Sequence, residues 1–171
     1  MLMEIRRFTL IMMLTGCFAA AAQAQKKELT LGVDAHSSFY DMSFAPIELG
    51  LDVGYGFTNW LKAGLRIEQS IALMEEGDAR TFAKNNTAGA FACFEMLHFN
   101  TCALSLKASG GASLKSDDWK YVYYDGYLCL SKRKGDLGTN VGIGVRYYDS
   151  RSEFMDNKLR GYLSIGVSYT L

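Results

Sequence analysis

Eleven ionisable side chains recur at alternate positions opposite apolar residues. The acids are Asp34, Glu48, Asp52, Glu68, Glu95 and Asp125; the bases are Lys62, Arg66, Lys107, Arg146 and Arg160. Six acids against five bases nearly cancel. If these residues share the inner face of a closed sheet, they form a network of paired, hydrogen-bonded charges, the only state in which charge is tolerated away from water. The other reactive residues form no recognisable constellation. Glu75, Glu76 and Asp78 surround Gly77, and Ser116, Asp117 and Asp118 follow in a later loop. Together they could hold a cation, but they lack the spacing of an EF-hand. Lys132-Arg133-Lys134 could meet phosphates and is expected to be a solvated turn. His98 falls in a short connection with no obvious acid–base partner. Cys93, Cys102 and Cys129 are odd in number and lack metal-ligand spacing, which argues against a disulfide framework or a zinc site. Cys93 and Cys129 both point inward with one strand between them, roughly 10 Å apart and beyond disulfide reach. Cys102 points to the other face, so three free thiols are expected. No cofactor is implied.

Strands must position these residues, because the chain alternates with period two rather than 3.6. From Ile47 to Phe57, the odd positions Ile47, Leu49, Leu51, Val53, Tyr55 and Phe57 oppose Glu48, Gly50, Asp52, Gly54 and Gly56. Leu61, Ala63, Leu65 and Ile67 oppose Lys62, Gly64, Arg66 and Glu68. Near the end, Leu163, Ile165, Val167, Tyr169 and Leu171 oppose Tyr162, Ser164, Gly166, Ser168 and Thr170. The same rule predicts strands over 27–35, 46–57, 61–70, 87–97, 102–112, 121–131, 137–148 and 159–171. The fourth fits least well, since Phe91 and Leu97 fall on its polar face. Connections alternate in length: 36–45, 71–86, 113–120 and 149–158 are longer, whereas 58–60, 98–101 and 132–136 are short. The expected fold is all-β: a closed antiparallel eight-stranded up-and-down transmembrane β-barrel with both termini at the short-turn end.

Residues 1–24 read as a signal peptide preceding a single barrel domain over 25–171. Arg6 and Arg7 precede an apolar run from Phe8 to Ala22, and Ala22-Gln23-Ala24 supplies an A-x-A cleavage site. Leu14-Thr15-Gly16-Cys17 offers a rival, lipobox-like cleavage that would lipidate Cys17. A net charge of zero gives no support for nucleic acid as a partner.

Alternation alone does not say which face is inside. A soluble lipocalin-like barrel would put the apolar face around a ligand. Four features favour apolar faces toward lipid: the export signal, the alternating loop lengths, apolar faces made mostly of Leu, Ile, Val and Ala with few charges, and aromatic residues near strand ends. Tyr55, Phe57, Trp60, Phe99 and Tyr169 are expected at the short-turn interface, and Tyr40, Phe44, Tyr147 and Tyr148 at the other. Closure has a physical cause as well. In hydrocarbon every backbone amide needs an internal partner, so strand 1 should pair with strand 8.

These features resemble the small outer-membrane barrel superfamily of the OmpX-like proteins and the barrel part of OmpA. The resemblance covers nearly all of the chain after residue 24 and rests on the architecture and on the last strand, Gly161 to Leu171. Members commonly end in such a strand with a terminal aromatic that the barrel-assembly machinery recognises. Here Tyr169 and Leu171 would carry that assembly signal, with leucine standing in the last place. The resemblance implies the outer membrane of a Gram-negative bacterium as location, and outer-membrane lipids, lipopolysaccharide and the assembly machinery as partners of a monomer. Some similar barrels are lipid A deacylases with a His and a nearby Ser, and His36-Ser37-Ser38 has H-x-S spacing. The deacylase pair lies on a later strand and faces lipid, whereas His36 is expected in the first outer loop. The reading is therefore non-enzymatic: a barrel with a plugged polar lumen and a structural or surface-interaction role through its outer loops. The alternatives are a soluble ligand-binding barrel and, behind it, a lipid A esterase.

Overall fold

The computed structural model describes residues 28–38, 44–76, 79–114, 120–151 and 156–171. Eight strands follow one another: β1 (Leu29–Ser38), β2 (Phe44–Gly56), β3 (Leu61–Glu76), β4 (Ala79–Phe99), β5 (Cys102–Ser113), β6 (Tyr121–Lys134), β7 (Leu137–Ser150) and β8 (Lys158–Thr170). Each pairs antiparallel with the next, and β1 pairs with β8 to close the barrel. Leu171 N–H donates to the Leu29 carbonyl at 2.8 Å and extends that seam to the last residue. No ladder edge is left bare along the shared wall, which is what closure achieves.

The two faces sort as alternation requires. Leu65 is 69% exposed, Ile165 63% and Ile47 62%, while their neighbours Arg66, Ser164 and Glu48 are at most 2% exposed. Leu51 and Leu65 therefore face outward, and Asp52 and Arg66 face the interior. This is the reverse of a lipocalin-like arrangement. The short-turn end carries Gly135, whose φ of 62° lies in the left-handed region that glycine enters without steric cost. Asn100 holds a similar conformation at φ 49°, which asparagine tolerates better than other side-chain-bearing residues.

Several strands run beyond their expected ends. The stretch 71–86, expected as a long loop, instead continues the β3–β4 hairpin from Ile71↔Lys84 to Glu76↔Ala79. Apolar alternation marks a strand only where one face is greasy. The segment from Arg80 to Thr87 is largely polar, so the signal vanishes, while the backbone still needs its ladder partners. β1 likewise continues to Ser38, which moves His36 out of the expected loop and into the barrel, where it is 1% exposed. β4 and β5 slip register between Glu95 and Leu97. That bulge inserts Met96 and turns Leu97 to the outer face, resolving half of the misfit in the fourth strand. Phe91 does point inward.

The expected aromatic belts need one correction. Tyr55, Phe57, Trp60, Phe99 and Tyr169 are exposed at the short-turn end, joined by Phe94. At the other end Tyr147 and Tyr124 face outward, but Phe44 and Tyr148 are each 2% exposed and pack edge-to-face, with centroids 5.4 Å apart, inside the barrel. Phe44 is in phase with Glu48 and Tyr148 with Arg146, so strand parity decides their direction. Tyr40, the 1–24 segment with Cys17, Asp78, and the Ser116–Asp118 cluster lie outside the described residues. Glu75 and Glu76 fall in β3, backbone-paired with Arg80 and Ala79.

Candidate functional site

The interior is organised around two guanidinium groups. Arg66, on β3, donates to Asp34 on β1 at 2.6 and 2.9 Å, to Asp52 on β2 at 2.9 Å, and to Glu68 at 2.9 and 3.0 Å. Arg146, on β7, donates to Glu68 at 2.6 and 3.0 Å and to Asp125 on β6 at 2.9 and 2.5 Å, and pairs with Glu48 at 2.7 Å. Glu68 bridges the two arginines. Lys107 on β5 reaches Asp34 at 3.4 Å and also donates to Asp52. The planar fork of arginine suits this work, because it offers five donors to carboxylates arriving from different strands. Ser109 and Tyr148 hydroxyls fill further acceptor positions on Asp125 (2.6 Å) and Glu48 (2.5 Å). Gly50 makes room for all of this: a Cβ there would overlap the Arg66 guanidinium and Asp34.

The remaining sequence-selected charges sit apart from this cluster. Arg160 is 8% exposed, lies 5.5 Å from the Phe44 ring centroid, and donates to the Phe44 and Leu159 carbonyls at 3.4 and 3.0 Å. Lys62 and Glu95 lie near the short-turn mouth. Glu95 accepts from His98 at 2.8 Å, and the other ring nitrogen of His98 lies 2.9 Å from the Asn100 carbonyl. His98 thus has the acid partner that sequence reading did not find; the bulge beside Glu95 accompanies that contact. Tyr169 and Leu171 both face outward.

Tyr162 is inward as alternation placed it, whereas Tyr121, Tyr123, Tyr127 and Tyr148 were not assigned to the interior. Tyr121, Tyr123, Tyr127, Tyr148 and Tyr162 are all at most 3% exposed. Tyr123 packs its face against Arg146, with the guanidinium carbon 4.2 Å from the ring centroid. His36 stacks on Tyr162 with centroids 4.6 Å apart and lies 3.3 Å from Asp34. Their alternation with Asp125 and Cys129 on β6 was the available signal, but tyrosine also belongs to outer belts, so residue type alone did not assign it.

Two chemistries can be read against this geometry. His36, Glu48 and Glu68 bring ligand atoms within 4.8 Å of one another. Arg146 already bridges them, at 2.7 Å from Glu48, 2.6 Å from Glu68 and 3.4 Å from His36 Nδ1, so the trio acts as an ion-pair and hydrogen-bond cluster. His36 and Ser38 lie two positions apart on one strand face, roughly 6.6 Å along it. His36 is enclosed by Asp34, Tyr127 and Tyr162, and this is not the hydrogen-bonded nucleophile–base pair that ester hydrolysis requires.

The short-turn half of the interior is hollow. A cavity of about 390 Å³ opens there, floored by Asp34, Asp52 and Lys107 and walled by Gly32, Gly54, Ser105, Ser168 and the Cys93 and Cys129 thiols. Both thiols, with Cys102, are free.

The N-terminal β-barrel domain of Pseudomonas aeruginosa OprF superposes with a TM-score of 0.55 at 9% identity, covering 85% of this chain and 98% of that one. Neisserial surface protein A superposes with a TM-score of 0.56 at 16% identity, covering 84% of this chain and 95% of that one. This is the fold of the small outer-membrane barrels. No family model matches the chain, and no curated protein matches it in sequence. Within the small-barrel fold, identities this low carry the architecture and leave the interior to be read from its own residues.

Proposed function

We propose that the chain is an integral, non-enzymatic outer-membrane protein of a Gram-negative cell. On this reading it is exported by residues 1–24 and inserted as a monomeric barrel with its short turns toward the periplasm. The exposed apolar wall carries the reading: a continuous surface of Leu, Ile and Val surrounds a charged interior. In water that wall would be far larger than the patches soluble monomers tolerate. Against acyl chains it is the expected surface, with Tyr55, Phe57, Trp60, Phe94, Phe99 and Tyr169 at one interface and Tyr124 and Tyr147 toward the other. Outer-membrane lipids and lipopolysaccharide would contact the wall, and Tyr169 with Leu171 would present the last strand to the assembly machinery.

The Arg66–Arg146 network and the tyrosines around it would act as a plug, leaving a structural or surface-interaction role through the longer connections. Membrane fractionation tests location: the protein should stay in outer membranes after carbonate washing and migrate differently on gels before and after boiling. Release by carbonate would reject the membrane reading. Planar-bilayer recording tests the plug separately. Little or no stable conductance is expected; a large, steady open level would reject it.

A further inference from the structure

Across four strands at the hollow end, register sets one inner row. Lys62 on β3 pairs with Cys93 on β4, Cys93 pairs with Lys107 on β5, and Lys107 pairs with Tyr127 on β6. Two lysines therefore flank one thiol on the cavity wall, their backbones roughly 10 Å apart and each with a side chain long enough to reach the space between. Lys107 is partly committed to Asp52 and Asp34, and its ammonium lies 4.7 Å from the Phe91 ring centroid and 5.6 Å from that of Tyr127. Lys62 has no hydrogen-bond or ion-pair partner among the described residues. The acids whose charge it senses, Glu28 and Glu95, pair with Arg133 at 3.6 Å and His98 at 2.8 Å. The mouth also carries Lys132. A half-buried cation left over after pairing thus lines a cavity of about 390 Å³ that also holds the Phe91 and Tyr127 rings beside Lys107, so charge and apolar surface are offered to a small ligand together.

We propose that this cavity binds a small amphipathic organic anion from the short-turn side. The carboxylate sits between Lys62 and Lys107 above Cys93, and the apolar body lies against Phe91 and Tyr127. Positive charge at the mouth draws the anion in, and the charge network at the floor stops it from crossing. The site depends on the barrel interior and not on membrane residence, so it stands or falls apart from the location proposed above.

The test uses the refolded barrel in zwitterionic detergent, with heat-modifiable gel migration as the fold control and para-(trifluoromethyl)benzoate as the probe, followed by fluorine NMR. Saturable binding is expected, with the uncharged para-(trifluoromethyl)benzamide failing to saturate. Lys62→Gln should weaken the benzoate about tenfold or more, the scale of one lost charged hydrogen bond. A second measurement needs no substitution: saturating benzoate should slow alkylation of Cys93 several-fold while leaving Cys102, on the outer face, unchanged. Equal binding of benzoate and benzamide, equal affinity in wild type and folded Lys62→Gln, or a Cys93 rate indifferent to the probe would each overturn the proposal and leave a cavity that holds water alone.

Discussion

One wall encloses two unlike interiors. Toward the longer connections, Tyr121, Tyr123, Tyr148, Tyr162 and Phe44 close around Arg146, Glu48 and Glu68, all at most 2% exposed. Toward the short turns, the same inward positions carry Gly32, Gly54, Ser105, Ser168, Cys93 and Cys129, and the space stays open. Both halves obey the same alternation and the same ladder. They differ in side-chain volume and in how completely charges are matched. An eight-stranded barrel is only just wide enough for side chains to fill, so large residues seal it and small ones leave a pocket. Filling and pairing go together for an electrostatic reason. In the sealed half Glu48, Glu68 and Asp125 are held away from water and each pairs with Arg146, whereas near the mouth Lys62 and Glu95 retain access to solvent.

This contrast fails if the two halves respond alike to matched substitutions. The largest difference should come from removing a cation. Arg146→Met leaves Glu48, Glu68 and Asp125 buried without their shared partner, and breaking such a group typically costs about 3–5 kcal/mol. Lys62→Met at the hollow end should cost less than about 1 kcal/mol, since no ion pair is lost. Urea unfolding of the refolded barrels in lipid, followed by tryptophan fluorescence, measures both; equal losses would erase the distinction.

A smaller effect isolates one hydrogen bond. Tyr148→Phe removes the donor to buried Glu48 and should destabilise by about 1.5–3 kcal/mol, the range for hydrogen bonds to charged groups. The same unfolding curves report it, and an unchanged midpoint would show that Glu48 is satisfied without the phenol.

The sharpest pairing lies on a single strand face. Gly50→Ala drives a methyl into the locked Arg66–Asp34 contact and should cost about 1–3 kcal/mol, as overpacking does. Gly54→Ala meets only the Phe91 ring, at 2.8 Å, and that ring has the cavity beside it to turn into; a change within about 0.5 kcal/mol is expected. Similar losses at both sites would mean that the hollow half is as rigid as the sealed one. Smallest of all should be Asn140→Ala on the cavity wall, also within about 0.5 kcal/mol by the same unfolding measurement.

Strands whose outer face is apolar, such as β2 and β8, were legible almost residue by residue, because alternation there carries a large hydropathy signal. Strand ends without that contrast were not. His36 and Asn85 are polar residues on continuing strands, and nothing in their composition distinguishes an inward strand position from a loop. The bulge after Glu95 was visible only as a misfit at Leu97, since one inserted residue inverts parity without altering composition.

Sequence by itself determined the period, the number of strands and the charges available to the inside, because these follow from side chains alternating along a single chain. Tertiary structure alone decided which charges meet. Arg66 reaches Asp34 across 32 residues and Arg146 reaches Glu68 across 78. Register and closure create such contacts, and so does the curvature that brings non-adjacent strands face to face. The boundary between the filled and the empty half arises in the same way, since it depends on how volumes from all eight strands sum at one level of the barrel.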